Sequence, residues 1–252
     1  MRLGKIATFT DIYNNIDNIL TQLKNTILSL KFSTAKPLIY WLNDWSEIFL
    51  KNEDTFNPSS LIKYERGMVV QAHLGFKAKS EQGGLRYCLV VDNNNDMSSN
   101  IIMVIPLTSL DQAQSSSNIH NKYEIFLGYS IFTDEINNCQ NKINYYKNQL
   151  LNTSQTPKQI NDLNFGISLE QKILDSLKMG TVALVSQMCA MSKMRIYSPK
   201  YPNDRFYSFR LDDGKLDEID SMIKKLYSKN IEKPSIKRKL KRINFKRRYR
   251  RM

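Results

Sequence analysis

Cysteine and histidine are scarce in this chain. Its three cysteines, Cys88, Cys139 and Cys189, form no CxxC pair, and its only histidines, His73 and His120, lie 47 positions apart. That spacing argues against a disulfide framework, a structural zinc site or a paired-histidine catalyst. Long apolar runs are missing too. The longest, Ile101 to Leu107, falls far short of the roughly 20 residues of a membrane span. The opening Met1-Arg2-Leu3-Gly4-Lys5 leads into polar residues with no apolar core, so no secretory signal is predicted. A cytoplasmic, reduced setting with no membrane is the expectation, with no metal and no cofactor.

The 252 residues are 41% hydrophobic and 10% aromatic, enough for a packed core. The net charge of +13 is unevenly placed. Residues 231–252 hold eleven basic side chains against one acid, Glu232, and the rest of the chain is close to neutral. The tail is thus a separate electrostatic object, and Lys237, Arg238, Arg247 and Arg248 in it are candidate RNA-binding residues. Residues 1–60 read as a helical extension. Ile12, Ile16, Ile19, Leu20, Leu23 and Ile27 form one stripe, and Pro37 is expected in the first turn of a second helix with Trp41 and Trp45 on one face. These helices are expected either to pack on the body or to offer a dimer or regulatory surface. Asn57-Pro58-Ser59-Ser60 marks a boundary. Strand periodicity follows over 67–74, 85–91, 100–107 and 123–127, then helical periodicity over about 130–178 with a break at Thr156-Pro157. Another strand is expected at Gly180 to Met188, and a closing helix over Leu216 to Leu226. The organisation is read as an extension at 1–60, a domain at 61–230 with an insertion at about 130–178, and a basic tail at 231–252.

The most informative segment is Ser80-Glu81-Gln82-Gly83-Gly84-Leu85-Arg86, set between strand patterns. Gly83-Gly84 allows a tight turn and close backbone approach, because neither residue has a Cβ. Arg66-Gly67 precedes it, Leu89-Val90-Val91 follows, and Pro106-Leu107-Thr108-Ser109 closes the next strand. One loop thus carries a carboxylate, an amide and a guanidinium, and a nearby strand ends in a hydroxyl. Those groups suit in-line attack on a phosphodiester. Such attack needs a proton acceptor, donors for a developing dianionic phosphorane and a protonated leaving oxygen. Arg86 offers a planar fork of donors, and Thr108 a single one.

Read in order, these elements resemble the MazF/PemK family of toxin endoribonucleases from type II toxin–antitoxin pairs. The resemblance covers about 66–127, resumes at 180–196 and takes in the helix near 216–226. It implies an α+β fold built on a small, strongly curved antiparallel β-barrel or sheet (MazF/CcdB-like, SH3-related). It also implies metal-independent cleavage of single-stranded RNA by the adjacent 2′-OH, leaving a 2′,3′-cyclic phosphate and a 5′-OH end. A cognate antitoxin and a homodimer follow as partners. By the same resemblance Arg86 and Thr108 match the catalytic residues, and Glu81 is the motif's only carboxylate able to take a proton. Ser80, Gln82 and Gln187 match positions near the RNA. The sequence departs from the family at Tyr87, where proline is usual, and at Met68, where an acid is common. In the block Ser186-Gln187-Met188-Cys189-Ala190-Met191-Ser192-Lys193 only Gln187 and Lys193 keep the pattern. Leu184 and Ser186 stand where other members have an arginine and an aspartate, so activity would rest on Arg86 and Thr108. The alternative is a non-catalytic CcdB-type binding toxin, or an RNA- or DNA-binding protein, on the same fold.

Overall fold

A computed structural model describes residues 6–77, 79–110, 119, 122–129, 131–151 and 155–228. The tail residues Lys237, Arg238, Arg247 and Arg248, and His120, lie outside the described residues. The chain runs through α1 (Phe9–Ser29) and α2 (Phe32–Asp44), which continues as a π-helical turn over Trp45–Leu50. Then come β1 (Val69–His73), β2 (Leu85–Val90), β3 (Ile101–Leu110) and β4 (Ile125–Tyr129). The insertion is a helix pair, α3 (Thr133–Leu150) and α4 (Pro157–Lys178). Strands β5 (Gly180–Ala183), β6 (Cys189–Ser192) and β7 (Ile196–Ser198) follow, and α5 (Asp213–Tyr227) closes the described chain.

Local chemistry explains several boundaries. Thr8 caps α1 by accepting from Asp11 N, and the Asp11 carboxylate accepts from Thr8 N in return, a reciprocal box. Thr156 and Gln159 repeat the device at α4, with Pro157 at the first helical position where its missing N–H costs nothing. The expected break at Thr156-Pro157 is therefore a helix start. Pro37 behaves otherwise: it lies inside α2, which begins five residues earlier at Phe32.

All strand pairings are antiparallel, in the order β4-β5-β3-β2-β1-β7, with β6 also pairing β3. The α+β class stands. The expected barrel is not closed: among the described residues no ladder joins β4 to β7. Strand β3 organises the sheet. Its first half, Ile101 to Val104, pairs with β6, and its second half, Leu107 to Leu110, pairs with β5. Pro106, which has no N–H to give a ladder, sits between the two. The strand expected over 180–188 ends at Ala183, and a 3₁₀ turn at Val185–Gln187 leads into the separate strand β6.

Side chains alternate across the sheet with a period of two. Val69, Leu89, Ile105 and Leu107 face one core with Cys139 and Ile143 of α3, Leu174 and Leu177 of α4, and Ile219 of α5. Val70, Ala72, Cys88, Val90, Ile102 and Val104 face a second core with Leu61, Tyr64 and Met68. The insertion helices thus cover one face. Trp41 of α2 is stacked on His73 with ring centroids 4.6 Å apart, and the Arg195 guanidinium lies over the Trp41 ring, 5.5 Å from its centroid. Helix α1 makes no comparable commitment, since Ile27 is its only buried residue.

Candidate functional site

The site begins with the β1–β2 hairpin. Its rungs run from Val69↔Leu89 to His73↔Leu85. Beyond them Leu74 N donates to Gly84 O (2.9 Å) and Gly84 N to Gly75 O (2.8 Å), which carries the pairing into the loop. Gly84 has φ +74, a left-handed conformation that side chains rarely adopt. A Cβ at Gly83 would meet the Gly75 carbonyl at 2.8 Å, so this position needs close backbone approach. His73 Nδ1 accepts from Gly75 N at 3.0 Å, which fixes the loop's entry. Burial lowers the His73 pKa, countered by Asp44 and assisted by Arg195.

A second element holds the loop from across the sheet. Gln187, at the end of the 3₁₀ turn, accepts from Gln82 N through Oε1 (2.7 Å) and donates to Ser80 O through Nε2 (3.3 Å). Both ends of one amide thus grip the backbone on either side of Glu81. The turn is itself braced, because Tyr227 Oη of α5 donates to Ser186 O at 3.1 Å. Glu81 and Ser80 are exposed, and Gln82 is half-buried.

Arg86 is exposed on β2, and its Nε donates to Gly83 O at 3.1 Å. Among the described residues no carboxylate pairs with it. The last β2–β3 rung toward this end is Cys88↔Pro106. Two residues further along the same register, Arg86 falls opposite Thr108. Thr108 pairs with Val182 on its other edge and is half-buried. It lines a cavity of about 30 Å³ with Tyr87, Phe132, Thr181 and Ser176 and Leu177 of α4. That volume suits a single water. The insertion therefore reaches the β3 segment that holds Thr108, a feature that spacing alone did not show.

Other motif residues turn out to be structural. Arg66 donates to Val91 O and to Asp220 of α5, and Gly67, at φ +82, accepts from Leu211 N at 2.9 Å. Together they pin α5 to the strand end. Lys193 is buried, and its ammonium donates to the carbonyls of Asp96 (2.7 Å) and Met97 (3.4 Å). Burial lowers its pKa, against the pull of Asp96 and Asp92. Tyr87, in place of the family's proline, packs its ring edge-on to Phe206 at 5.1 Å. It thereby couples the strand carrying Arg86 to the 199–210 segment.

That segment carries a second cluster. Arg205 Nη2 donates to both oxygens of Glu170 (3.0 and 2.9 Å), and its Nε lies 3.8 Å from Glu135. Glu135 also accepts from Phe206 N at 3.1 Å. Burial opposes the charge on Glu170, but hydrogen bonds from Arg205 and Cys139 hold its carboxyl below the usual value. Every acid in this cluster is engaged, so it joins α3, α4 and the loop and leaves nothing free for chemistry. A cavity of about 320 Å³ lined by Trp45, Phe49, Phe56, Met194 and Arg195 holds none of the expected site residues. No group of three or more His, Cys, Asp or Glu that could hold a metal occurs among the described residues. Nor is any helix among them long and apolar enough to cross a membrane.

No curated protein matches the chain. A family model does match, over a stretch that runs from just before β1 to the first turn of α3 and so holds the loop, Arg86 and Thr108 but not the 186–193 block. Residues 65–137 match the model of the PemK-like, MazF-like toxins of type II toxin–antitoxin systems, which is what this part of the chain is similar to.

Proposed function

We propose that this chain is a toxin endoribonuclease that cleaves single-stranded RNA without a metal. The observation that carries the reading is an exposed arginine, free of any carboxylate partner among the described residues, on a glycine-shaped hairpin and opposite Thr108 when the β2–β3 register is extended by two residues. In this mechanism Glu81 accepts the proton of the 2′-OH as its oxygen attacks the adjacent phosphorus. Arg86 and Thr108 donate to the nonbridging oxygens as negative charge develops there, and the 5′ oxygen leaves after gaining a proton. The products are a 2′,3′-cyclic phosphate and a 5′-OH end. Gln187 keeps Glu81 presented by holding the backbone on both sides of it. Ser80, Gln82 and Gln187 border the RNA, and Lys237, Arg238, Arg247 and Arg248 attract its backbone.

The organisation that goes with this reading is an extension at 1–60, a toxin domain at 61–230 with an insertion at about 130–178, and a basic tail at 231–252. The partners are RNA, a cognate antitoxin and a second copy, in the cytoplasm. One observation favours a second reading, a non-catalytic CcdB-type binding toxin: the cavity that Thr108 lines, at about 30 Å³, is no larger than a water needs. Incubating the purified chain with mixed-sequence RNA in EDTA, and mapping the ends, separates the two. Cuts with cyclic-phosphate ends support the nuclease. Uncut RNA favours the binding toxin, and cleavage that returns only with magnesium overturns the mechanism.

A further inference from the structure

Helix α1 carries an apolar stripe that the rest of the chain leaves largely uncovered. Over 21 residues it buries only Ile27. Ile12, Ile16, Ile19 and Leu23 stay 36–41% exposed, and Phe9 is 83% exposed. Its composition does not favour a free-standing helix: Asn14, Asn15, Asn18, Asn25 and Thr26 are weak helix formers, as is isoleucine. Helices of about this length are marginal in water unless an apolar face is covered. Something must lie on this stripe.

The spacing says what kind of surface fits. Phe9, Ile12, Ile16, Ile19, Leu23, Thr26 and Leu30 follow one another in alternating steps of three and four. This is the seam of helix-on-helix packing with a repeat of about 3.5 residues. Charge says which helix. The first half of α1 carries Asp11 and Asp17 and no base, while the second half and its end carry Lys24 and Lys31 and no acid. A helix of this kind complements itself when turned end for end. The seam does the same: antiparallel pairing places Ile16 of one copy against Ile19 of the other, Ile12 against Leu23, and Phe9 against Thr26. Each layer then occurs twice about a two-fold axis, as an isologous contact requires. Asp11 of one copy comes level with Lys24 of the other.

We propose that α1 is an antiparallel self-association helix whose occupant is α1 of a second copy of this chain. This gives the homodimer of the reading above a defined surface, and it stands whether or not the chain cuts RNA. The experiment has two arms on the full chain. In sedimentation, the wild type is expected to associate, and Ile16→Asp and Leu23→Asp to halve the mass. Asn14→Asp, on the opposite side of the helix, should leave the mass unchanged. A monomeric wild type, or an unchanged mass in both Ile16→Asp and Leu23→Asp, overturns the proposal. In the second arm, chains bearing Ile16→Cys and Ile19→Cys are mixed under mild oxidation, with wild type as the control for its own cysteines. A mixed disulfide between the two variants is expected. Self-linking of Ile16→Cys in place of mixed linking overturns the antiparallel register.

Discussion

Arg86 and Arg205 are about as different as two arginines in one chain can be. Arg205 is enclosed between α3 and α4, forked onto Glu170 and close to Glu135. Arg86 stands exposed, with one donor returned to the backbone of its own loop. A guanidinium matched by carboxylates in the interior fixes a fold and has no donor left for a ligand. One held by a single backbone bond is positioned yet still able to receive an anion. Charge alone does not nominate a site; an unmet guanidinium on a fixed backbone is the better candidate.

The sharpest way to break this contrast is to remove each arginine. Arg205→Ala leaves Glu135 without its cation and Glu170 with only the exposed Lys142, 3.5 Å away, and should cost about 3–5 kcal/mol of stability, read as a lower midpoint in urea. A loss well under 1 kcal/mol would show that water replaces the guanidinium. Arg86→Ala should leave that midpoint unchanged and lower RNA cleavage by about 10²–10³, the cost of losing one preorganised donor. Thr108→Ala should act in the same direction. Near-normal turnover in Arg86→Ala would place the chemistry elsewhere.

Gln187→Ala tests the loop's support. Two hydrogen bonds at about 0.5–1.5 kcal/mol each are lost, so cleavage should fall less than in Arg86→Ala, with faster amide exchange at Gln82. Exchange at Gln82 as slow as in wild type would show that the loop holds itself. The acid response of His73 is smaller. Burial keeps its folded pKa below the unfolded value, so the unfolded chain binds the extra proton first. The stabilisation is full above the unfolded value of about 6.5 and is lost as pH falls below it. The melting temperature should decline from pH 7 to 5, and His73→Gln should flatten that decline. Smallest for specificity is removal of residues 233–252, which takes away eleven positive charges. RNA binding at low salt should weaken and its salt dependence flatten, with the cut sequence unchanged. A changed cut sequence would bring the tail into recognition.

Gly83 and Gly84 were readable in the sequence because backbone geometry there tolerates little else. The 3.6-residue stripes at α3, α4 and α5 were readable because they face a core. Pro37 misled: it marks helix starts often, but here α2 takes it in one turn further along. The end of β5 at Ala183 and the 3₁₀ turn after it were not legible, because Pro106, which separates the two pairings of β3, lies 74 positions before the start of β5. Gln187 showed its residue type and not its bond, since the partners at Ser80 and Gln82 are more than a hundred residues away. Although β3 runs on to Leu110, the sequence marks Thr108 as closing the strand. Its shelter under Ser176 and Leu177 is a matter of tertiary packing that no local pattern encodes.

The bond from Tyr227 to the carbonyl of Ser186 has a topological consequence. It fixes the last residue of α5 one position from Gln187, which grips the loop that presents Glu81. The basic segment is therefore tethered at the support of that loop, and not at some remote corner. On the proposed reading, attachment so near would turn capture of RNA by the tail into a local event, with the captured strand at high effective concentration beside Arg86. The same eleven charges moved to the N-terminus, beyond α1, would bind as much RNA and deliver less of it.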